Sequence, residues 1–304
     1  MKIDDRSGAT ALDTSQTAAN AEPTVIESVL VVGAGTMGSG IAQIVAQAGF
    51  RTTLTDADTA SLERGLAGIA SRWERSVNTG RYSGQDVAGF HATLGPGTIA
   101  DAASADLVIE AIVEKLESKT SLFQELAAIA PLWSIFASNT SSISISTLGH
   151  ASGRPDRFLG LHFFNPVPMI PLVEIVRGIE TSDGTLATSV RFVEAIKKTP
   201  VGVGDSPGFV ANRILLPMIN EAIFTLQDGV ASATSIDEVM KLGMSHPMGP
   251  LALADLIGLD ICLDILETLH RDFGDDKYRP APMLRRLVGA GKLGRKTGHG
   301  FYEY

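Results

Sequence analysis

The distribution of apolar residues changes near residue 28 of the 304-residue chain. Residues 1–25 are rich in Ala, Thr, Ser and Asp and have no apolar periodicity, so ordering them would cost entropy without burying much surface. They predict a disordered tail. From residue 28 an apolar run, a glycine turn, a helix-like stretch to Ala48 and a second run ending near Asp56 predict a β-α-β unit.

Apolar runs separated by helix-like stretches continue as far as a turn signal at 205–208. The further runs cover 107–109, 135–137, 158–164 and 172–176. This alternation predicts an α/β fold with a Rossmann-like, doubly wound and mainly parallel sheet. Only helix-like segments follow the turn, which predicts an all-α C-terminal domain. The expected parts are a tail (1–25), an NAD-binding domain (26–204) and a helical domain (205–304).

The first helix-like segment of the C-terminal part is apolar on nearly every side. Its apolar positions are Val210, Ile214, Leu215, Met218, Ile219, Ala222, Ile223 and Leu226. Such a helix must be buried all round, by its own domain or by a partner subunit. Because a small domain can hardly cover it alone, we expect a homodimer.

Composition narrows the range of partners. The chain has 34 acidic and 25 basic residues and a net charge of −9, which argues against a nucleic-acid partner. An anionic ligand would need a local basic patch. No apolar run approaches the roughly 20 residues that span a bilayer, and the N-terminal residues lack the apolar stretch of a secretory signal, so we expect no membrane partner. The single cysteine, Cys262, lies in an apolar run typical of core packing, and we expect a cytoplasmic protein without a metal site.

A glycine motif follows the first apolar run. Gly33, Ala34, Gly35, Thr36, Met37 and Gly38 spell G-A-G-T-M-G at the start of the first helix. Gly33 suits the turn, Gly35 allows close approach of a diphosphate, and Gly38 lets the helix pack on the strand. The helix N-terminus favours the anion. Glycine-rich turns also occur for steric reasons alone, but the strand, the helix and an acid at the expected position favour a dinucleotide site.

That acid is Asp56, which lies 23 residues after Gly33 at the predicted end of the second strand. A carboxylate there can accept hydrogen bonds from the adenine ribose and would repel a 2′-phosphate. No arginine follows it directly, so the sequence favours NAD over NADP. The alternative is that Asp56 is a solvated turn acid.

Three further strings place polar groups at the C-terminal ends of apolar runs, which is where open α/β sheets bind ligands. They include Ser141, His162 and Glu174. A neutral histidine can take the proton of an alcohol as a hydride leaves, and a carboxylate on its other ring nitrogen fixes the tautomer. His162 and Glu174 suit these roles. A histidine between apolar residues can instead be a satisfied core residue, but the upstream glycine motif favours the catalytic interpretation.

Seven strings together make the chain similar to the L-3-hydroxyacyl-CoA dehydrogenase family over residues 27–304. They are V-V-G-A-G-T-M-G-S-G-I-A, V-I-E-A-I-V-E, A-S-N-T-S-S, G-L-H-F-F-N-P-V-P, D-S-P-G-F-V-A-N-R, M-G-P and K-T-G-H-G-F-Y. The resemblance implies that His162 is the base and Glu174 its partner. It implies that Ser141 and Asn212 bind the reacting oxygen of the substrate. Without the family, Ser141 could cap a helix beginning near Ile143.

The resemblance also implies cofactor contacts at four further positions, namely Glu114, Lys119, Asn165 and Lys296. On composition alone each could be a surface residue. The family has a helical hairpin after the second strand, usually rich in lysine, that approaches the CoA part of the substrate. Here the stretch 62–77 has an apolar face with Arg72 and Arg75 roughly opposite it. These two arginines and the following Arg81 are the candidate CoA contacts, although a solvated basic face is the alternative. Lysines are absent from this stretch.

The function implied by the resemblance is reversible, NAD-dependent oxidation of a (S)-3-hydroxyacyl-CoA to the 3-oxoacyl-CoA, with a short acyl chain. Two alternatives stay open at this point. One is a dehydrogenase of a free hydroxy acid or sugar acid, and the other is a non-catalytic NADH-binding protein of the same fold. The joint presence of Ser141, His162, Glu174 and Asn212 argues against the second, because binding alone needs no general base.

Overall fold

The computed structural model describes residues 25–304. The tail predicted over 1–25 therefore lies outside the described residues, apart from Val25, which is exposed. The chain divides into two compact units between Asp205 and Ser206.

The first unit contains one eight-stranded sheet with the strand order β3-β2-β1-β4-β5-β6-β7-β8. The strands are β1 (Ser28–Val32), β2 (Arg51–Thr55), β3 (Leu94–Pro96), β4 (Leu107–Glu110), β5 (Ile135–Ser138), β6 (Phe158–Phe163), β7 (Leu172–Arg177) and β8 (Thr199–Gly204). All neighbours pair in parallel except β6 and β7, which are antiparallel. The predicted α/β fold with a doubly wound, mainly parallel sheet is confirmed.

Six helices of the first unit connect and cover these strands. They are α1 (Thr36–Gln47), α2 (Thr59–Asn78), α3 (Gly84–Thr93), α4 (Leu116–Ile129), α5 (Ile145–Ala151) and α6 (Asp183–Ala195), with 3-10 turns at Ile99–Ser104 and Pro155–Arg157. Apolar residues of α1, α2 and α6 pack on one face of the sheet in a continuous core that includes the fully buried Trp73. This packing holds the sheet edge that carries the polar strings in a fixed geometry.

The second unit is helical, as predicted. Its helices are α7 (Ala211–Gln227), α8 (Ala233–Glu238), α9 (Pro250–Ile257), α10 (Leu259–Phe273) and α11 (Pro282–Gly289), with a π turn at Val239–Gly243 and 3-10 turns at Asp276–Tyr278 and Arg295–Thr297. The inner side of α7, including Ile219 and Ile223, is buried in the core of this unit. On another side Ile214 is 68% exposed, and Val210, directly before the helix, is 49% exposed, so apolar side chains at this helix are open to solvent in the single chain.

No helix within residues 25–304 is both long enough and apolar enough to cross a bilayer.

Candidate active site

The antiparallel pairing of β6 with β7 creates the central feature of the site. His162 and Glu174 are directly opposed in this register, and Nδ1 of the imidazole lies 2.7 Å from Oε2 of the carboxylate. Both residues are buried, at 7% and 2% exposure. The ring of Phe164 packs against the imidazole with 4.5 Å between the ring centroids. The carboxylate favours the tautomer with its proton on Nδ1, which leaves the lone pair on Nε2.

Ser141 lies in the loop between β5 and α5, and Glu114 organises this loop. Oε1 of Glu114 accepts hydrogen bonds from the Thr140 hydroxyl (2.5 Å), the Ser141 backbone N–H (2.9 Å) and the Ser142 hydroxyl (3.2 Å). The Ser141 hydroxyl itself lies 3.4 Å from the same oxygen. The alternative role of Ser141 as a helix cap is excluded, because α5 begins at Ile145 and Ser144 supplies the cap.

Glu114 belongs to a charge network whose other members, Lys119 and Glu110, are buried. Lys119 is only 1% exposed, and its ammonium lies 2.5 Å from Oε1 of Glu110 and 3.2 Å from Oε2 of Glu114. Glu110 is fully buried and also accepts hydrogen bonds from the Ile112 N–H (2.7 Å) and the Ser138 hydroxyl (2.6 Å). The structure thus places Lys119 in the interior, where it joins the end of β4 to the Ser141 loop.

This network keeps Glu114 ionised. Burial opposes its charge, but the positive charge of Lys119 and the hydrogen bonds from Thr140 and Ser141 outweigh that effect and hold the pKa of Glu114 below its ordinary value. The Ser141 loop therefore rests on a carboxylate at neutral pH.

Sequence reasoning missed two polar residues that shape this edge. Glu110 ends the apolar run of β4, and a polar residue at the carboxyl end of a buried parallel strand is the signal that could have found it. Asn139 follows β5 in the same way, and its Oδ1 accepts a hydrogen bond from the Phe163 N–H (2.9 Å), next to His162. It ties the Ser141 loop to the strand of the histidine.

The glycine motif has the geometry that a dinucleotide needs. Gly33 has φ +105°, and a Cβ there would lie 2.5 Å from the Ala111 carbonyl oxygen, while a Cβ on Gly38 would overlap the carbonyl of Gly33. A Cβ on Gly35 would meet no atom within 4 Å, so the space in front of this residue is open. No side chain caps α1 and no acid lies in its first turn, which leaves its N–H groups for an anion. These residues fit the diphosphate of NAD.

Asp56 lies directly after β2, beside this loop. Its Oδ2 accepts a hydrogen bond from the Ala34 N–H (2.7 Å) and its Oδ1 one from the Asp58 N–H (2.9 Å). Each carboxylate oxygen has a second lone pair, so Asp56 can still accept hydrogen bonds from ribose hydroxyls. Asp56 is therefore hydrogen-bonded to the backbone of the glycine loop and is not only a solvated turn acid.

The remaining candidates are spread over both units. Asn165 is exposed in the loop after β6, three residues beyond His162. Asn212 is the second residue of α7, and Lys296 lies in the C-terminal segment, where its ammonium pairs with both carboxylate oxygens of Asp260 at 2.6 and 2.5 Å. The cofactor role of Asn165 and Lys296 and the substrate role of Asn212 stay predictions.

The three arginines proposed for CoA differ in placement. Arg75 and Arg81 are exposed. The prediction that Arg72 lies opposite the apolar face of α2 is wrong, because its Nε donates to Gln43 of α1 (2.5 Å) and its Nη2 is buried without a hydrogen-bond partner among the described residues. At 3.6 residues per turn Arg72 lies on the flank of the helix, where a long side chain reaches the neighbouring helix. A direct contact of Arg72 with CoA stays a prediction.

The combined geometry defines a class of protein. A glycine loop at a helix N-terminus, an acid after β2 and a buried histidine–carboxylate pair at the same edge of the sheet are the parts of a nicotinamide-dependent dehydrogenase. Family models for the 3-hydroxyacyl-CoA dehydrogenase NAD-binding domain and C-terminal domain match residues 28–206 and 208–304. The chain belongs to the 3-hydroxyacyl-CoA dehydrogenase family, and it is an NAD-dependent oxidoreductase.

Named relatives agree over nearly the whole chain. A Bradyrhizobium diazoefficiens protein named 3-hydroxybutyryl-CoA dehydrogenase is 49% identical over 281 residues, which cover 92% of this chain and 96% of the relative. The human mitochondrial hydroxyacyl-coenzyme A dehydrogenase is 42% identical over 299 residues, 95% of each chain. The crystal structure of (S)-3-hydroxybutyryl-CoA dehydrogenase PaaH1 from Ralstonia eutropha superimposes with a TM-score of 0.89 at 47% identity and covers 92% of this chain and 99% of that one.

Proposed function

We propose that this enzyme interconverts (S)-3-hydroxybutyryl-CoA and acetoacetyl-CoA with NAD. The observation that carries the proposal is the buried contact of 2.7 Å between His162 and Glu174, a general base with its tautomer fixed. The names of the relatives at 47–49% identity support the four-carbon substrate.

In the proposed mechanism Nε2 of His162 removes the proton of the 3-hydroxyl group. When bound, NAD supplies the nicotinamide ring that accepts the hydride from carbon 3. Glu174 stabilises the imidazolium that forms, because its carboxylate already contacts Nδ1. Ser141 and Asn212 hydrogen-bond the oxygen on carbon 3, where negative charge develops in the reverse direction. Glu114 and Lys119 keep the Ser141 loop in place.

The experiment that tests this proposal follows NADH oxidation with acetoacetyl-CoA, longer 3-oxoacyl-CoAs and free acetoacetate. We expect the highest kcat/KM with acetoacetyl-CoA and a much lower value with the free acid. Turnover of acetoacetate in preference to its CoA ester would favour the alternative, a dehydrogenase of free hydroxy acids. Absence of turnover with all of them would refute the proposal.

The proposal includes a homodimer assembled through the second unit. Its support is the exposure of apolar side chains such as Ile214 on α7 and Leu242 in the π turn, which a partner subunit would cover. The proposed location is the cytoplasm, and its support is that the chain has a single cysteine, the buried Cys262, and so no internal disulfide to maintain.

A further inference from the structure

Asn139 lies between two of the side chains that the proposed mechanism brings to carbon 3. It follows β5 directly and precedes Ser141 by two residues. Its Oδ1 accepts a hydrogen bond of 2.9 Å from the Phe163 N–H, and Phe163 is the residue after His162. One short side chain thus connects the backbone beside the serine to the backbone beside the histidine.

The sheet needs an acceptor at this point because β6 extends beyond β5. The last pair between the two strands joins Ser138 to Gly160, whereas β6 continues for three more residues, to Phe163. Beyond that pair, the N–H groups of β6 on the side of β5 no longer face the carbonyl groups of a paired strand. The amide oxygen of Asn139 takes the place of such a carbonyl at Phe163. The connection between the two strands is thereby continued to the level of His162.

Other contacts of the Ser141 loop lead to β4 and the segment that follows it. The Asn139 N–H donates to the Glu110 carbonyl oxygen (2.8 Å), and Glu114 accepts a hydrogen bond from the Ser141 N–H (2.9 Å). In the strand order, β4 lies on one side of β5 and β6 on the other. The Asn139 side chain therefore adds a contact in the opposite direction, toward the strand of the histidine.

The acceptor that Asn139 supplies is uncharged. The imidazole of His162 already contacts the carboxylate of Glu174, and Glu114 is ionised at the Ser141 loop. An aspartate at position 139 could accept the same N–H, but it would bring another negative charge to the backbone beside His162. Such a charge opposes the negative charge that develops on the substrate oxygen during reduction. An amide makes the connection without that effect.

We propose that Asn139 is a positioning residue that sets the place of Ser141 relative to His162 and affects catalysis through Ser141. The proposal rests on the proposed function, in which both side chains contact the oxygen on carbon 3. That oxygen must meet the serine hydroxyl and the imidazole at the same time. Displacing such a group by about 1 Å can lower the rate roughly 10²-fold.

A double-mutant cycle with Asn139→Ala and Ser141→Ala tests this coupling. Asn139 is only half-buried, so water can hydrogen-bond the Phe163 N–H in the alanine variant, and the variant should fold. We expect Asn139→Ala to lower kcat for reduction of acetoacetyl-CoA roughly ten- to hundred-fold, with KM for NADH unchanged. In the Ser141→Ala background the same change should lower kcat by less than about two-fold, because the group that Asn139 positions has been removed.

Thr185→Val is the matched control. The Thr185 hydroxyl donates to the Asp156 carbonyl oxygen (2.8 Å), shortly before the opposite end of β6, so this variant also removes a hydrogen bond between a side chain and the backbone. We expect its urea midpoint to fall while kcat and KM stay parental. Asn139→Leu keeps the shape of the side chain without its acceptor, and it replaces Asn139→Ala in the cycle if the alanine variant does not fold.

The possible failures can be told apart. Parental kcat in Asn139→Ala, or a loss of kcat that is equally large in the Ser141→Ala background, would overturn the positioning role and leave the proposed function intact. Parental kcat in Ser141→Ala would overturn it together with the proposed role of Ser141, since Asn139 would have no serine contact to act through. A parent enzyme that does not reduce acetoacetyl-CoA would instead refute the proposed function.

Discussion

Glu114 links the charge network to the loop of Ser141, and its protonation should affect the stability of the fold. The pKa of Glu114 lies below its ordinary value of 4.5 in the folded chain. Its contacts therefore stabilise the fold fully above that value, and the contribution declines as pH falls toward the folded pKa, because the unfolded chain takes up the proton first.

Glu114→Gln should accordingly lower the urea midpoint of unfolding most at neutral pH. The difference from the parent should shrink as the pH is lowered from about 5 to 3. Glu125→Gln, an exposed acid on α4, is the control and should differ little from the parent at any pH. A Glu114→Gln difference that stays constant across this range would contradict the assignment of an ionised, network-bound carboxylate.

The element formed by β4, the following loop and α4 depends on a buried cation. Lys119→Met removes the charge that lies between Glu110 and Glu114 and leaves the buried carboxylate of Glu110 without its positive partner. Breaking a buried pair in this way costs about 3–5 kcal/mol of the free energy of unfolding. Lys115→Met, at an exposed position before α4, should change it by less than about 0.5 kcal/mol. Urea unfolding of both variants measures the difference in their free energies of unfolding. Equal values would contradict a stabilising role of the buried charge network.

The main elements could be predicted from sequence because their apolar runs are long and continuous. β3 and β8 escaped prediction, since Leu94–Pro96 and Thr199–Gly204 are interrupted by glycine and proline and lie at the two edges of the sheet. The antiparallel pairing of β6 with β7 also left no local signal, although it sets the His162–Glu174 contact. Strand direction depends on the path of the chain and not on periodicity.

The contacts of individual side chains were harder to predict than the positions of their residues in the fold. The histidine–carboxylate pair could be expected from chemistry and spacing. The interior placement of Lys119 could not, because its partner Glu110 lies on a neighbouring strand and pairing is decided by tertiary contacts. Arg72 illustrates the same limit on a helix, where its contact with Gln43 depends on how α1 and α2 pack.

The whole molecule should be a dimer in solution if the apolar surface of α7 is an interface. Ile214→Asp places a charge on that surface and should convert the protein to a monomer at micromolar concentration, as measured by light scattering. Ile179→Asp is the control, since Ile179 is equally apolar and 88% exposed but belongs to the first unit. Identical masses for the parent and both variants would reject α7 as the interface.

The claim that this chain is a dehydrogenase with His162 as its base is tested most directly by single-site kinetics. His162→Gln keeps a polar side chain but cannot take up the proton, so kcat for oxidation of 3-hydroxybutyryl-CoA should fall by about 10² to 10⁴. NADH binding, followed by fluorescence titration, should equal that of the parent because the glycine loop is untouched. Near-parental turnover in His162→Gln with intact NADH binding would contradict the account and require another base.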